Sequence, residues 1–161
     1  MPRQADPRCK APSTLTRRRL LQGTAALALA HALPSVAAPE MPDIPLLAEL
    51  LAGRTPRWER LRLDLPALAD NGQTVPLKLT MSGPFSPGPT VQAIHLFSEK
   101  NPVPDMAVFE FPVPIEKIEI DSRVRLAGSQ KVVAVAVMSD GALYAAAADV
   151  VVTIAACLDG S

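Results

Sequence analysis

Cys157 is the residue of this 161-residue chain with the plainest capacity for chemistry. A thiol acts as a nucleophile and as an oxidisable group through its thiolate, and this one is followed by Leu158-Asp159-Gly160-Ser161. The second cysteine, Cys9, lies near the start, and the two histidines are His31 and His95. There is no Cys-x-x-Cys, no paired-histidine spacing and no Gly-rich phosphate loop, so the sequence points to no metal and no other cofactor. Three chemistries compete for Cys157: a covalent carrier thiol, a Cys157–His95 hydrolase dyad, and no chemistry at all in a module built for interaction. The dyad has no recognisable third residue to orient the histidine and would place its nucleophile on a tail. His95 alternates with Ile94 and Leu96, which reads as a structural position in a strand.

The first 38 residues read as an address. A polar residue, paired arginines and two leucines in Thr16-Arg17-Arg18-Arg19-Leu20-Leu21 precede an apolar run from Gly23 to Leu33, the pattern of a twin-arginine export signal. The run is too short for a permanent membrane span, which takes roughly 20 residues, and Ser35-Val36-Ala37-Ala38 offers the small residues that a signal peptidase accepts. The expected location is the periplasm. Cleavage there removes Cys9, leaves Cys157 without an intramolecular disulfide partner, and changes a formally neutral chain into one with ten basic and fifteen acidic residues. A domain of net charge −5 argues against nucleic acid and anionic membranes as partners and favours a protein with a basic docking face. Because the twin-arginine route carries folded proteins and no cofactor motif follows, joint folding and export with a second subunit is the expected reason for it.

Residues 39–154 must position the thiol. Asp43 to Gly53 has a capping aspartate, an early proline, leucines at helical spacing and a terminal glycine, which predicts a short amphipathic helix. From Arg60 onward short β-branched segments alternate with Pro, Gly, Asn and Asp, the grammar of an antiparallel immunoglobulin-like β-sandwich. The expected strands are seven: Arg60–Asp64, Val75–Ser82, Val91–Ser98, Ala107–Phe111, Lys117–Leu126, Gln130–Met138 and Ala142–Ile154. In the fifth, Ile118, Ile120, Val124 and Leu126 face the core while Glu119, Asp121, Arg123 and Arg125 face solvent. Ser139-Asp140-Gly141 joins the last two strands, whose alanines and valines leave little polar on either face. Either a partner subunit covers one face or both faces lie inside the sandwich. Trp58 and Tyr144 read as packing residues, and Asn101 and Asp105 as turn builders that could serve a subunit interface.

After Ile154 the periodicity stops, and residues 155–161 read as a flexible tail in which Ala155, Ala156 and Gly160 keep the profile narrow around Cys157. Three residues of extended chain carry the sulfur roughly 10 Å beyond the sheet, at about 3.3–3.6 Å per residue. The last basic residue in the sequence is Lys131, whereas Asp149 and Asp159 favour the neutral thiol, so activation is expected from an enzyme that receives the tail.

Several stretches taken together are more specific than any one of them: Asp70-Asn71-Gly72-Gln73-Thr74-Val75-Pro76-Leu77, Ile94 to Asp105 with Lys100-Asn101-Pro102, Arg125-Leu126-Ala127-Gly128-Ser129-Gln130, Met138-Ser139-Asp140-Gly141, and Val152-Thr153-Ile154 leading to Cys157. In order and spacing they resemble the SoxY family, the thiosulfate carriers of the bacterial Sox sulfur-oxidation system. The resemblance implies an immunoglobulin-like sandwich that forms a heterodimer with a SoxZ-like subunit and is not itself an enzyme. It further implies a tail cysteine to which sulfur intermediates are covalently attached. A c-type cytochrome would couple thiosulfate to it, a hydrolase would release sulfate, and a sulfur dehydrogenase would oxidise the remaining sulfur. The chain departs from the family pattern at the tail, where Ala-Ala-Cys-Leu-Asp replaces Gly-Gly-Cys-Gly-Gly.

Overall fold

The computed structural model describes residues 39–83 and 87–154. The expected signal segment and the tail with Ala155, Ala156, Cys157 and Gly160 lie outside the described residues. The remainder is a helix, α1 (Pro45–Leu51), followed by eight strands among the described residues: β1 (Leu61–Asp64), β2 (Leu68–Asn71), β3 (Val75–Met81), β4 (Val91–Ser98), β5 (Asp105–Glu110), β6 (Ile118–Val124), β7 (Gln130–Met138) and β8 (Leu143–Ile154). They form a mostly-β sandwich of a three-stranded sheet, β1-β3-β6, and a five-stranded sheet, β2-β8-β7-β4-β5. All seven expected strands are present with ends shifted by a few residues. Arg60 is excluded from β1 because its backbone turns left-handed, with φ at 67°.

The additional strand is β2, and it alters the topology. Leu68-Ala69-Asp70-Asn71 is short and half polar, so it carries no strand signature of its own. It is extended because its backbone pairs parallel with β8, Leu68 beside Val151 and Asn71 beside Ile154. The sandwich is therefore antiparallel except along this edge.

Alternation does the packing. Val75, Leu77, Leu79 and Met81 of β3 and Ile118 of β6 face Ile94 and Leu96 of β4, Val132, Ala134 and Ala136 of β7, and Val150 of β8 across one buried layer. On the solvent side of β6, Glu119 and Asp121 are exposed, as the alternation predicts. Burying about ten such aliphatic side chains at about 1.5–3 kcal/mol each is the main drive for closing the two sheets.

From the sequence, the opposite face of β7 and β8 was open to a partner subunit or to the sandwich interior. It is covered by α1. Ile44 and Leu47 pack on Phe97, Val133, Val135, Leu143 and Ala145, with Leu50, Leu51 and Trp58 at the margin. Alternation along β8 assigns Tyr144, Ala146 and Ala148 to the inner layer and Leu143, Ala145 and Ala147 to the layer under the helix. Alanine on both sides lets both layers approach the strand closely.

A seven-residue helix is marginal alone; the expected early proline and terminal glycine are in place, but the expected capping aspartate is not. Asp43 makes no capping bond; Ile44 occupies the N-cap position and Pro45 begins the helix. The chain leaves through left-handed Ala52 and Gly53, at φ 48° and 76°. Arg54 then donates from Nε to the Leu51 carbonyl, from Nη2 to Leu50, and from Nη1 to Gly141 at 2.8 Å. One guanidinium thus satisfies two terminal carbonyls of the helix and ties it to the β7–β8 turn. That turn needs Gly141 at φ 82°, with the Asp140 carboxylate accepting from the Ala142 amide.

Two predictions follow from this packing. Leu47→Ala removes the best-buried side chain of the helix and should cost about 2–4 kcal/mol in urea unfolding. On the outer face of β6, hydrogen bonds from Lys117 and then Lys78, with their charges, hold the Glu119 carboxyl down to about 2. A depressed carboxylate stabilises the fold above its unfolded value near 4.5, and that contribution disappears as pH falls through about 2. A carbon-13 carboxyl titration by NMR should show Glu119 as the low-titrating glutamate, with little change in stability on Glu119→Gln because the group is exposed.

Candidate functional site

The tail cysteine leaves from the end of β8, and the described residues show how that end is held. The last four residues of β8 run past the end of its pairing with β7 at Val150 and find other hydrogen-bonding partners. On one side Val151 donates to Ala67 O at 2.9 Å, the Thr153 hydroxyl donates to Asp70 O at 2.7 Å, and Gly72 N donates to Ile154 O at 2.8 Å. On the other, Val152 N donates to Ser129 Oγ at 2.9 Å, and that hydroxyl lies 3.4 Å from Val152 O. Gly72 also links the two sheets, since its carbonyl accepts from Leu126 N at 2.8 Å. Gly72 is itself buried.

Behind this clamp stands a side-chain network centred on Asn101. Its Nδ2 donates to Arg125 O at 2.9 Å, and its Oδ1 accepts from Ala127 N and Gln130 Nε2, each at 2.9 Å. Gln130 is 5% exposed, and its Oε1 accepts from Lys100 N at 2.8 Å. Lys100 Nζ reaches Ser129 O at 2.8 Å. Asn101 therefore does more than build a turn, the role read from its sequence: it binds the β4–β5 loop to the β6–β7 loop on which β8 rests. Asp105 is not in that turn; it begins β5, and its Oδ1 is buried without a hydrogen-bond partner. A cleft of about 530 Å³ opens beside it, lined by Asn101, Met106, Phe109, Arg123 and Arg125 among others.

Three of the stretches that carried the resemblance, around Asn71-Gly72, Lys100-Asn101 and Arg125–Gln130, thus meet at the base of the tail. Met138-Ser139-Asp140-Gly141 lies at the other end of the sandwich, in the β7–β8 turn. Sequence order also misjudged the local charge. Asp149 is paired with Lys131 at 3.0 Å, and Lys100 and Arg125 come to the same end from distant segments. Basic groups close to the tail's origin cannot be found by reading outward from Cys157, because they lie 26 residues or more away along the chain.

His95 does not join this end. It pairs with Val135 of β7, which pairs with Ala145 of β8, nine residues before Ile154. That separation is about 30 Å along the strand, whereas three tail residues span about 10 Å. His95 instead lies flat against Phe97, with ring centroids 6.1 Å apart. The dyad is out of reach. Among the described residues no group of three His, Cys, Asp or Glu side chains could hold a metal ion, and no helix is long and apolar enough to cross a membrane.

Asn101→Ala removes three hydrogen bonds, two of them from donors within the buried network, and should cost about 2–3 kcal/mol. The amides of Gly72 and Val152, which depend on the same loops, should exchange with deuterium faster than those in the middle of β7. Uniform acceleration across the sandwich would show that Asn101 supports the whole fold and not its tail end.

Comparison with known proteins places these features. A family model described as "Sulfur oxidation protein SoxY" matches residues 47–157, from within α1 to the tail cysteine. No curated protein matches. Among solved structures, a candidate superoxide reductase from Thermotoga maritima is 16% identical, with 58% of this chain and 87% of that chain covered at a TM-score of 0.49. Superoxide reductase (neelaredoxin) from Ignicoccus hospitalis is 13% identical, with 58% and 80% covered at a TM-score of 0.46. At such identities and scores these likenesses carry nothing about activity. The family match spans well over half of the chain, runs through every strand and ends on Cys157, and the chain belongs to the SoxY family of sulfur oxidation proteins.

Proposed function

We propose that this protein is a covalent carrier of sulfur intermediates, with Cys157 as the attachment point and the end of β8 as a rigid mount for the tail. The observation that carries the reading is the family match that extends to Cys157. The clamp around Val151–Ile154 supports it physically. A short tail delivers its thiol to a defined place only if its root does not move, and bonds to both sides of β8 hold that root.

In this reading residues 1–38 are the twin-arginine signal, residues 39–154 the carrier domain and residues 155–161 the tail, and the carrier works in the periplasm. Thiosulfate is coupled to the thiol by forming a sulfur–sulfur bond, with one proton released and two electrons passed to a c-type cytochrome. A hydrolase then adds water across the outer sulfur–sulfur bond, releasing sulfate and leaving a persulfide, which a sulfur dehydrogenase oxidises. A SoxZ-like subunit completes a heterodimer. Since α1 already covers the outer face of β7 and β8, that subunit must bind elsewhere. Ala155 and Ala156 keep the tail slim, while Leu158 adds bulk that a close-fitting client channel must accommodate.

Intact-mass analysis of protein from cells grown on thiosulfate, before and after reductant, should show a reducible persulfide or thiosulfonate on Cys157. Cys157→Ser should carry neither and should halt sulfur oxidation by the strain. An unmodified thiol together with normal oxidation by the serine strain would overturn the reading and favour a module that only binds partners.

A further inference from the structure

The parallel strand β2 ends on Asn71, and Gly72 follows it. A side-chain amide followed by glycine is open to attack by the next backbone nitrogen, because glycine has no Cβ to obstruct the five-membered ring that forms. Of the two asparagines in the chain, Asn71 alone has such a neighbour. Asn101 precedes Pro102, whose nitrogen carries no hydrogen to lose.

The fold both assembles and restrains this reaction. Asn71 is exposed, and its Oδ1 accepts from Gln73 N at 2.8 Å, which folds the side chain back over the Gly72 peptide. The attacking atom is engaged elsewhere: the nitrogen of buried Gly72 donates to Ile154 O at 2.8 Å. The Gly72 carbonyl accepts from Leu126 N at 2.8 Å, so both peptide groups of the glycine are held. For the nitrogen to reach Asn71 Cγ it must release Ile154, and the parallel pairing of Asn71 with Ile154 must open with it. Thr153 secures the same place, its hydroxyl donating to Asp70 O at 2.7 Å.

We propose that Asn71 is a deamidation site gated by the clamp on β8, and that its conversion unfastens the root of the tail. The Gly72 nitrogen loses its proton and forms a bond to Asn71 Cγ. The bond from Cγ to the side-chain nitrogen breaks, and ammonia leaves with that proton. Water then opens the cyclic imide at one carbonyl or the other, giving aspartate or isoaspartate with no change of oxidation state. In isoaspartate the main chain runs through the former side chain and is one carbon longer. Gly72 then no longer meets Ile154 while Leu68 stays beside Val151. The hydrogen bond at the last residue of β8 is lost. This inference rests on the clamp alone and holds whatever Cys157 carries.

The test is incubation of the purified full-length protein at mildly alkaline pH, native and in urea, with peptide mapping by mass spectrometry and enzymatic methylation of isoaspartate. Asn71 should lose its amide in both, about tenfold more slowly in the native protein, because only the open clamp reacts. Thr153→Val keeps a β-branched residue at an exposed position but removes the bond to Asp70. It should speed native amide loss severalfold and leave the rate in urea unchanged. Arg62→Gln, at an exposed pair with Asp64 on the other sheet, should alter neither rate. Ion exchange separates the converted protein by its added negative charge. In its isoaspartate fraction the Val151 and Val152 amides should exchange with deuterium faster than in the parent. Undetectable amide loss at Asn71 in the native protein, equal native and urea rates, an unaltered native rate in Thr153→Val, or parent-like exchange in the isoaspartate fraction would each overturn the proposal. Cys157→Ser should convert at the parent rate, so failure of the carrier reading and failure of this one are told apart.

Discussion

The rest of this structure depends on β8 staying hydrogen-bonded to its last residue, to β7 and Ser129 on one edge as far as Val152 and to β2 and Gly72 on the other as far as Ile154. A strand that ends a sheet ordinarily frays, because its terminal amides and carbonyls compete with water for partners. In β8 the carbonyl of Ile154 still accepts from Gly72, and Thr153 reaches across to Asp70. The parallel strand β2 is too short and too polar to exist for its own packing. It is explained by what it does for its neighbour, which is to extend the paired length of β8 to the point where the cysteine tail begins.

The same strand also joins two hydrophobic layers. Its inner residues meet the three-stranded sheet, and its outer residues meet α1, so β7 and β8 are the middle of a three-layer structure at that place. A helix of seven residues suffices because Ile44 and Leu47 bury against Phe97, Val133, Val135, Leu143 and Ala145 and its C-terminal end is tied down by Arg54. That arrangement covers the outer face of β7 and β8 from within the chain itself.

The two ends of the sandwich differ in how they manage charge. At the tail end, basic groups are paired or bonded to carbonyls: Lys131 with Asp149, Lys100 with Ser129. At the far end, Arg57 and Arg60 each lie 3.4 Å from the Tyr144 hydroxyl. Polar networks in a sandwich usually serve to seal loops, and the Asn101 network does so.

The sequence by itself determined the sandwich, the places of seven strands, the inward and outward faces of β6 and the glycine in the β7–β8 turn. Each of these rests on local pattern, alternation or turn chemistry, which a linear reading captures. Only the tertiary structure decided that β2 is a strand and that α1 covers the outer face. It also decided that Asn101 and Gln130 secure the base of the tail, and that Arg57 and Arg60 share Tyr144. The physical reason is common to all four. Each depends on partners 24 or more residues away, and nothing in the local composition of Leu68–Asn71 or of Asn101 announces a partner that only folding supplies. For Cys157 the consequence is specific: the sequence marks the thiol, and the fold supplies the fixed point from which it is offered.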